Sequence, residues 1–406
     1  MTPHVTTGPR RFTSFFWLIV VIFGAAMSFT TVPTTLWSLY EHTAGYSTLM
    51  VTVAFTAYSF GVLASLILLG HVSDWQGRRP FIAAALLCQV AAAIVFVVTQ
   101  NFGPVVVARF ISGAGVGMLT ATATAYLLEL ARGSGRITMP VALVAATAAN
   151  LGGLGAGPLI GGALAQWAPA PLTLPYGIYL VLLAAGLVVV WLGPETVAVR
   201  HRRYRPQRIQ VPRADRTGYL VAVGVGGAVF CVLGLSTSLT PQLLGQLGVQ
   251  SRFWQGLLVA CVLIASAATQ IMLRSMSAER LIVTGLPAIG LGVVLMLAGV
   301  LELSAVWFAL GGIIGGAGGG AAFRGALARG QQLAPPDARG EAAAGVFVGA
   351  YLGMALPVLG IGFASLGGVP LRVSVAAFTI FVLALAAVLF AGTLLTRRRT
   401  SEGSVG

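Results

Sequence analysis

The residues best suited to ion-pair chemistry lie in one short polar stretch that separates two long apolar runs. Asp74 is followed by Gly77, Arg78 and Arg79, and about 20 predominantly apolar residues lie on either side, enough for one membrane-spanning helix each. Gly77 permits a tight chain reversal, the two arginines favour the cytoplasmic side of a membrane, and Asp74 is placed to pair with them. A polar turn whose arginines only fix the membrane topology is the alternative interpretation.

This stretch resembles the loop 2–3 signature of the major facilitator superfamily, which reads G-x-x-x-D-x-x-G-R-[RK]. The matching residues are Gly70, Asp74, Gly77, Arg78 and Arg79. The resemblance implies a transporter with twelve membrane helices in two six-helix bundles, which expose a shared cavity to each side in turn. In the second half of the chain the counterpart loop, 274–280, is too degenerate to count as a match.

Four charged residues match a charge network found beneath the N-terminal bundle in this superfamily. They are Asp74, Arg78, Glu129 and Arg136. The resemblance implies that the network clamps the two halves together when the cytoplasmic side is closed, because ion pairs bias a two-state equilibrium if only one state satisfies them. An ordinary loop with topogenic charges is the alternative.

Arg109 is a charged residue inside the fourth apolar run. It lies about five residues from the predicted outer end, or roughly 7 Å deep at the rise of an α-helix. A charge there is expensive and usually functional, although an arginine at this depth can also extend to the surface. With Gly113 it resembles the R-x-x-x-G motif of the superfamily, and this resemblance implies a role in proton coupling.

Glu41 and His42 lie at the outer end of the first predicted helix, near the level of Arg109. We hypothesise that the three residues form an outer gate that takes up protons, with two solvated loop residues as the alternative. None of the ten acidic residues lies at a predicted midplane, where proton-coupled carriers commonly place a carboxylate.

The fifth apolar run contains a glycine-proline pattern that resembles the G-x-x-x-G-P-x-x-G-G motif of the twelve-helix drug/proton antiporter branch. Its matching residues are Gly153, Gly157, Pro158, Gly161 and Gly162. Proline kinks a helix, and glycines let a neighbouring helix approach closely. The more distant glycine of the full motif is absent, because Val144 stands nine residues before Gly153.

If the cavity lacks an acid, substrate contacts must come from neutral polar groups, since such groups are costly when they face lipid. The candidates are Thr31, Thr34, Thr35, Trp37, Tyr58, Asn150, Thr237, Gln242, Gln270 and Tyr351.

The composition is that of a polytopic membrane protein. The 406 residues are 57% hydrophobic and 8% charged, whereas soluble proteins carry about 25% charged residues. All 24 basic residues are arginines, and they lie in short loops on alternate sides of successive apolar runs rather than in a patch for nucleic acid. The four histidines avoid the midplanes and the three cysteines lack metal-ligand spacing, so we expect neither an enzyme nor a metal site.

Twelve apolar stretches of spanning length predict an all-α membrane protein with twelve transmembrane helices in two six-helix bundles. They are approximately 14–39, 47–70, 81–99, 104–130, 137–166, 172–192, 217–240, 252–273, 281–301, 304–328, 340–365 and 371–395. The interval 193–216 carries seven arginines and predicts a cytoplasmic linker between an N-terminal bundle, 1–192, and a C-terminal bundle, 217–406.

The arginine distribution also predicts the orientation. With the N-terminus inside, 21 of the 24 arginines fall in cytoplasmic segments, which predicts cytoplasmic termini in an inner (cell) membrane. We interpret the chain as a monomeric secondary transporter without a cofactor or a nucleic-acid partner, which exports small neutral or amphipathic molecules coupled to protons. An importer or facilitator of a sugar or other small metabolite is the alternative.

Overall fold

The computed structural model describes residues 9–70, 72–197 and 215–402. In this part of the chain, twelve helices are long and apolar enough to cross a membrane, as predicted. Numbered in chain order, they are Arg10–Ala44 (α1), Thr48–Leu69 (α2), Arg78–Val98 (α3), Phe102–Ser134 (α4), Met139–Trp167 (α5), Leu174–Leu192 (α6), Arg216–Ser238 (α7), Arg252–Met272 (α8), Ala278–Leu301 (α9), Ala305–Gln332 (α10), Arg339–Leu366 (α11) and Leu371–Arg397 (α12).

Three short helical segments join these spans, and they are Ser73–Gln76, Thr240–Gln246 and the 3₁₀ turn Pro336–Ala338. Helix α12 continues to Glu402.

Some helices extend about a turn beyond their apolar stretches. Helix α1 ends at Ala44 rather than at 39, and α4 ends at Ser134 rather than at 130. In both, the hydrogen-bonded helix continues through polar residues until a glycine adopts a left-handed conformation, Gly45 at φ 70° and Gly135 at φ 59°. Hydropathy reports where the bilayer core ends, whereas a C-cap glycine sets where the helix ends.

Proline interrupts the regular hydrogen bonding of α1 and α5. Helix α1 is divided at Val32, immediately before Pro33. In α5, Pro158 has no backbone N–H to donate to the carbonyl of Leu154 four residues earlier. The hydroxyl of Thr31 donates to that carbonyl instead, at 2.8 Å, and so ties α1 to α5. A single π-helical turn, Ala148–Gly152, lies just before this point.

Buried apolar residues form two separate cores, one from α1–α6 and one from α7–α12. We refer to these helix sets as the N-terminal half and the C-terminal half. Most of the predicted linker, residues 198–214, lies outside the described residues, and the domain division at 193–216 stays a prediction.

The connections α2–α3, α4–α5, α8–α9 and α10–α11 lie at one end of the molecule, here named the arginine-rich end. The halves are in contact toward the opposite end. There the Gln166 side chain accepts a hydrogen bond from the backbone N–H of Arg252 at 3.0 Å, and Gln242 Nε2 donates to Thr48 Oγ1 at 3.0 Å. These contacts close the opposite end of the space between the halves.

Candidate functional site

A cavity of about 360 Å³ lies between the two halves. Its lining comes from α1, α2, α4 and α5 of the N-terminal half and from α7, α8, α10 and α11 of the C-terminal half. The cavity extends from Arg109 and Thr237, which lie toward the opposite end of their helices, to Thr124 and Gln270, which lie nearer the arginine-rich end.

The structure places most of the predicted substrate-contacting residues in this lining. Seven line the cavity: Thr31, Thr34, Tyr58, Asn150, Thr237, Gln270 and Tyr351. The other three pack between helices. Thr35 donates to the carbonyl of Val32, Trp37 is buried, and Gln242 binds Thr48. Contact with a substrate stays a prediction for all ten.

The two halves contribute chemically different walls. The N-terminal wall carries most of the hydroxyl groups, whereas the C-terminal wall carries Phe230, Phe323, Phe347 and Tyr351. Neighbouring ring centroids in this aromatic wall are 5.0 to 5.6 Å apart. The cavity is therefore amphipathic, with most of its hydroxyl groups in the N-terminal half and most of its aromatic rings in the C-terminal half.

The sequence interpretation missed several hydroxyl groups of the lining. They are Thr30, Thr120, Thr124, Thr147 and Ser266. Thr120 and Thr124 are four residues apart and so lie on one face of α4, and this spacing is the signal that the sequence contained. Each hydroxyl donates to the carbonyl four residues before it, at 2.9 and 2.8 Å, which satisfies it inside the helix.

Arg109 is buried at the inner end of the cavity, with 3% of its surface exposed, so its side chain does not extend to the protein surface. Its Nη1 donates to the carbonyl of Thr30 at 2.9 Å, and the guanidinium lies over the Tyr58 ring at 4.5 Å from the centroid. Gly113 allows this arrangement. A Cβ at Gly113 would lie 2.1 Å from the carbonyl oxygen of Tyr58, so only glycine lets α4 approach α2 here.

The structure does not bring Glu41 and His42 to Arg109. Among the described residues, no carboxylate lies within ion-pair distance of the Arg109 guanidinium. Glu41 is half-buried and His42 is exposed, both near the end of α1. Arg109 instead binds Thr30, which precedes Glu41 by eleven residues, or about 16 Å of helix.

An N-terminal charge cluster joins α3, α4 and the segment after α6 at the arginine-rich end. Arg78 forms an ion pair with Glu129, with Nη2 and Oε1 3.0 Å apart, and its Nη1 donates to Ser73 Oγ at 2.9 Å. Thr196 donates its hydroxyl to Glu129. Glu195 accepts hydrogen bonds from the backbone N–H groups of Arg78 and Arg79, at 2.9 and 3.0 Å. This carboxylate therefore caps the first turn of α3.

Not every residue of the predicted network lies in this cluster. The side chain of Asp74 lies outside the described part of the structure. Arg136 is exposed, and its described hydrogen bond runs from its backbone N–H to Ser134 Oγ at 3.2 Å. It starts the loop after the left-handed Gly135, which turns the chain away from Glu129. The cluster instead contains Glu195 and Thr196, whose Pro-Glu-Thr sequence after the sixth apolar run was the available signal.

The remaining loop-motif residues shape the chain around this cluster. Gly70 caps the end of α2. Gly77 has φ 104° and ψ 152°, a conformation essentially limited to glycine. Arg79 donates its Nε to the carbonyl of Val190 at 3.2 Å, and so binds the end of α6.

A C-terminal charge cluster occupies the related position in the other half, and the sequence interpretation missed it. Arg329 lies 3.6 Å from Asp215 and 3.4 Å from Glu279, and Arg397 lies 3.9 Å from Glu279. Every ion pair described at the arginine-rich end thus joins residues of one half. In this conformation the described pairs do not clamp the two halves together.

The glycine-proline motif of α5 fits this helix between the halves. Gly153, Gly157 and Gly161 face α1, where an added Cβ would lie 2.2 to 3.0 Å from backbone oxygens. Gly162 faces α8 of the other half, where an added Cβ would lie 2.5 Å from the carbonyl oxygen of Arg252. Pro158 meets α8 at Gly256. The motif is therefore a packing surface shared by three helices.

Comparison with known proteins identifies a family and a curated protein that this chain resembles. The model of the Major Facilitator Superfamily matches residues 17–356. The curated Myo-inositol transporter 2 of Schizosaccharomyces pombe is 33% identical over 76 residues, which span 19% of this chain and 14% of that protein.

Solved structures share the fold across almost the whole chain. The nucleoside transporter NupG has a TM-score of 0.70 at 12% identity, covering 93% of this chain and 98% of that chain. A mutant of the peptide transporter POT in complex with alafosfalin has 0.75 at 14% identity, covering 93% and 94%. A bacterial homologue of the human lysosomal transporter Spinster, in an inward-facing and unoccupied conformation, has 0.68 at 14% identity, covering 94% and 97%.

Proposed function

This chain belongs to the major facilitator superfamily, and we propose that it is a secondary active transporter that exports small amphipathic molecules in exchange for protons. The observation that carries the proposal is the cavity of about 360 Å³ between a hydroxyl-rich wall and an aromatic wall. Cavities that bind small molecules measure about 300–1,000 Å³ and combine apolar walls with a few polar groups. A small molecule with one polar and one apolar part matches both walls.

The positions of the contacts between the halves support alternating access. The halves are joined near the opposite end by Gln166 with Arg252 and by Thr48 with Gln242, while the cavity extends toward the arginine-rich end. Opening the opposite end requires these contacts to break and the arginine-rich ends to meet. Each charge cluster belongs to one half, so each would move as part of its own bundle.

The orientation in the proposal comes from the loops. Arginine-rich loops remain on the cytoplasmic side of a membrane, so we place the arginine-rich end in the cytoplasm and the protein in the cell (inner) membrane. The described conformation is then open to the cytoplasm, where an exporter loads its substrate. One chain contains both halves of the cavity, and we propose that it works as a monomer.

Proton exchange needs a titratable group that one of the two states exposes. No carboxylate among the described residues lines the cavity, so we retain Glu41, with His42 beside it, as the proton-exchanging group near the opposite end. Arg109 would respond to the protonation state of Glu41 through its hydrogen bond to Thr30 of α1, and not by direct contact with Glu41. If Glu41→Gln leaves the pH dependence of transport unchanged, this assignment is wrong.

A facilitator or importer of a sugar or other small metabolite is the second candidate. Two observations favour it. The described cavity lining lacks a carboxylate for proton exchange, and a 76-residue segment is 33% identical to a protein described as a myo-inositol transporter.

Transport in inside-out vesicles separates the two candidates. A pH gradient is imposed across vesicles that contain the protein and across control vesicles that lack it. Uptake is then measured for neutral, anionic and cationic amphipathic compounds and for myo-inositol. Uptake that a protonophore abolishes supports export in exchange for protons. Equilibration of myo-inositol that ignores the gradient supports the facilitator and contradicts the exporter.

A cross-linking experiment tests whether the two halves must separate at the closed end during transport. Thr48→Cys with Gln242→Cys, in a background where Cys88, Cys231 and Cys261 are replaced, puts a thiol on each half at the closed end. A bifunctional thiol reagent should then stop transport, because the halves cannot separate there, whereas either single-cysteine variant should remain active. Undiminished transport by the cross-linked protein would contradict alternating access between these states.

A further inference from the structure

Arg109 is a buried cation without an anionic partner among the described residues. It is 3% exposed, its Nε has no hydrogen-bond partner, and no carboxylate of the described residues lies within ion-pair distance. The guanidinium group offers five N–H donors, of which the structure uses one on the Thr30 carbonyl. A buried charge left without a counter-charge is strongly unfavourable.

We propose that Arg109 binds the acidic group of the transported substrate, and that this substrate is an amphipathic monocarboxylate. The proposal rests on the proposed function, in which the central cavity carries the substrate. Arg109 lines this cavity, so a substrate anion reaches the guanidinium from the cavity side. The substrate then supplies a counter-charge that the described residues do not.

The number and geometry of the charges select a monocarboxylate. Arg109 is the one charged side chain that the described lining contributes, so one negative charge makes the loaded cavity neutral. A dianion would leave an uncompensated charge among apolar groups, which is costly. A carboxylate is planar, and its two oxygens match two parallel N–H groups of a guanidinium.

The rest of the cavity selects an apolar body. The aromatic wall of Phe230, Phe323, Phe347 and Tyr351 comes from the C-terminal half, whereas Arg109 comes from the N-terminal half. Aromatic faces bind apolar groups and also bind cations. The positive charge of Arg109 opposes a cation in the same cavity, so the two features together favour an anion with an apolar or aromatic body.

Neutralisation of the Arg109 charge by a bound substrate would also couple substrate binding to closure of the arginine-rich end. When the arginine-rich end closes over an empty cavity, Arg109 loses contact with water and keeps its charge. When a carboxylate is bound, the same closure encloses a neutral pair. A ligand shifts a two-state equilibrium by its differential affinity for the two states, so the bound anion favours the closed, transported form.

The test uses three probes of the same shape that differ in charge: 4-phenylbutyrate, 4-phenylbutanamide and 4-phenylbutylamine. Their binding to the full-length protein in phosphatidylcholine nanodiscs is measured by calorimetry at pH 7.4, with empty nanodiscs subtracted. We expect the carboxylate to bind at least about tenfold more tightly than the amide, equivalent to about 1.4 kcal/mol, and the amine to bind most weakly.

Two variants assign the preference to Arg109. In Arg109→Gln, the carboxylate and the amide should bind equally, and amide binding within about threefold of wild type shows that the cavity is intact. In the control Arg136→Gln, which changes an exposed arginine, the preference should remain. Phe230→Ala should weaken the carboxylate and the amide by the same factor. If Arg109→Gln does not fold, this variant still decides, because loss of the carboxylate preference in Phe230→Ala would contradict its assignment to Arg109.

The proposal is overturned if the wild-type protein binds carboxylate and amide equally, prefers the amine, or binds none of the three probes. It is also overturned if Arg109→Gln keeps the carboxylate preference. These outcomes are separate from the proposed transport function. If the binding order holds while vesicles show no proton-driven uptake of phenylbutyrate, the anion site stands and the proton-driven export is contradicted.

Discussion

The two charge clusters at the arginine-rich end occupy related positions in the two halves but are built with opposite polarity. In the N-terminal cluster the arginine, Arg78, begins the third helix of its half, and the acid, Glu129, lies near the end of the fourth. In the C-terminal cluster the acid, Glu279, lies in the first turn of the third helix, and the arginine, Arg329, lies in the last turn of the fourth.

Helix dipoles make this reversal physically important. The amino end of a helix favours negative charge and the carboxyl end favours positive charge, by about 0.3–1 kcal/mol each. Glu279 and Arg329 therefore lie at ends that stabilise them without a partner. Arg78 lies at an unfavourable end and depends on Glu129 and on the capping carboxylate of Glu195. Its shorter contacts, 3.0 Å against 3.4 to 3.9 Å, agree with this dependence.

The comparison teaches that the N-terminal cluster is a mutually dependent unit, whereas the C-terminal cluster is a set of separately stable charges. Four predictions test this difference. The free energy of unfolding is measured in each case on purified protein titrated from mild detergent into SDS.

Replacing Arg78 with Gln should have the largest effect. The substitution leaves Glu129 partly buried without its cation and removes the hydrogen bond to Ser73, so we expect a loss of about 3 kcal/mol in unfolding free energy. Arg136→Gln, which changes an exposed arginine on the next loop, is the control and should change stability little. A loss no larger than that of the control would show that Arg78 is an ordinary surface charge.

Gly77→Ala should come next. The φ of 104° with ψ of 152° excludes other residues, and the new Cβ would lie 2.8 Å from Oε2 of Glu195. We expect a loss of about 2 kcal/mol from backbone strain and a displaced cap. Gly103→Ala, in the first turn of α4 where an added Cβ has open space, is the matched control. Equal stability of the two variants would contradict the role of Gly77 in holding Glu195.

A pair of double-mutant cycles measures the dependence directly. For Arg78→Gln with Glu129→Gln, we expect a coupling energy of about 1–2 kcal/mol, since each residue needs the other. For Arg329→Gln with Glu279→Gln, we expect less than about 0.5 kcal/mol. Similar coupling energies in the two halves would remove the distinction drawn from the helix dipoles.

Glu279→Gln should have the smallest effect of the four. Its contacts to Arg329 and Arg397 are long and partly exposed, and the first turn of α9 keeps a favourable cap in Ser277. We expect a loss of about 0.5 kcal/mol that shrinks in high salt. A loss comparable to that of Arg78→Gln would show that the C-terminal cluster is as interdependent as the N-terminal one.

The candidate site was only partly readable from the chain. Tyr58, Asn150 and Tyr351 line the cavity as expected, because a polar side chain in an apolar helix faces either the cavity or another helix. Gln242 and Thr35 face another helix, and sequence spacing does not distinguish such residues from those that face the cavity. The three phenylalanines of the aromatic wall were missed because phenylalanine in a membrane helix carries no signal of whether it faces lipid or cavity.

Apolar length by itself determined the twelve helices, because spanning a bilayer requires about 20 apolar residues whatever the surroundings. The loop motif between Gly70 and Arg79 indicated the family. Tertiary structure alone decided the partners of Arg109 and Glu195. Arg109 lies against Tyr58 and Thr30 because Gly113 lets two helices touch, and Glu195 joins Arg78 because α6 ends beside the start of α3. Such contacts depend on helix packing between segments that are distant in the chain, so a local sequence pattern does not specify the partner.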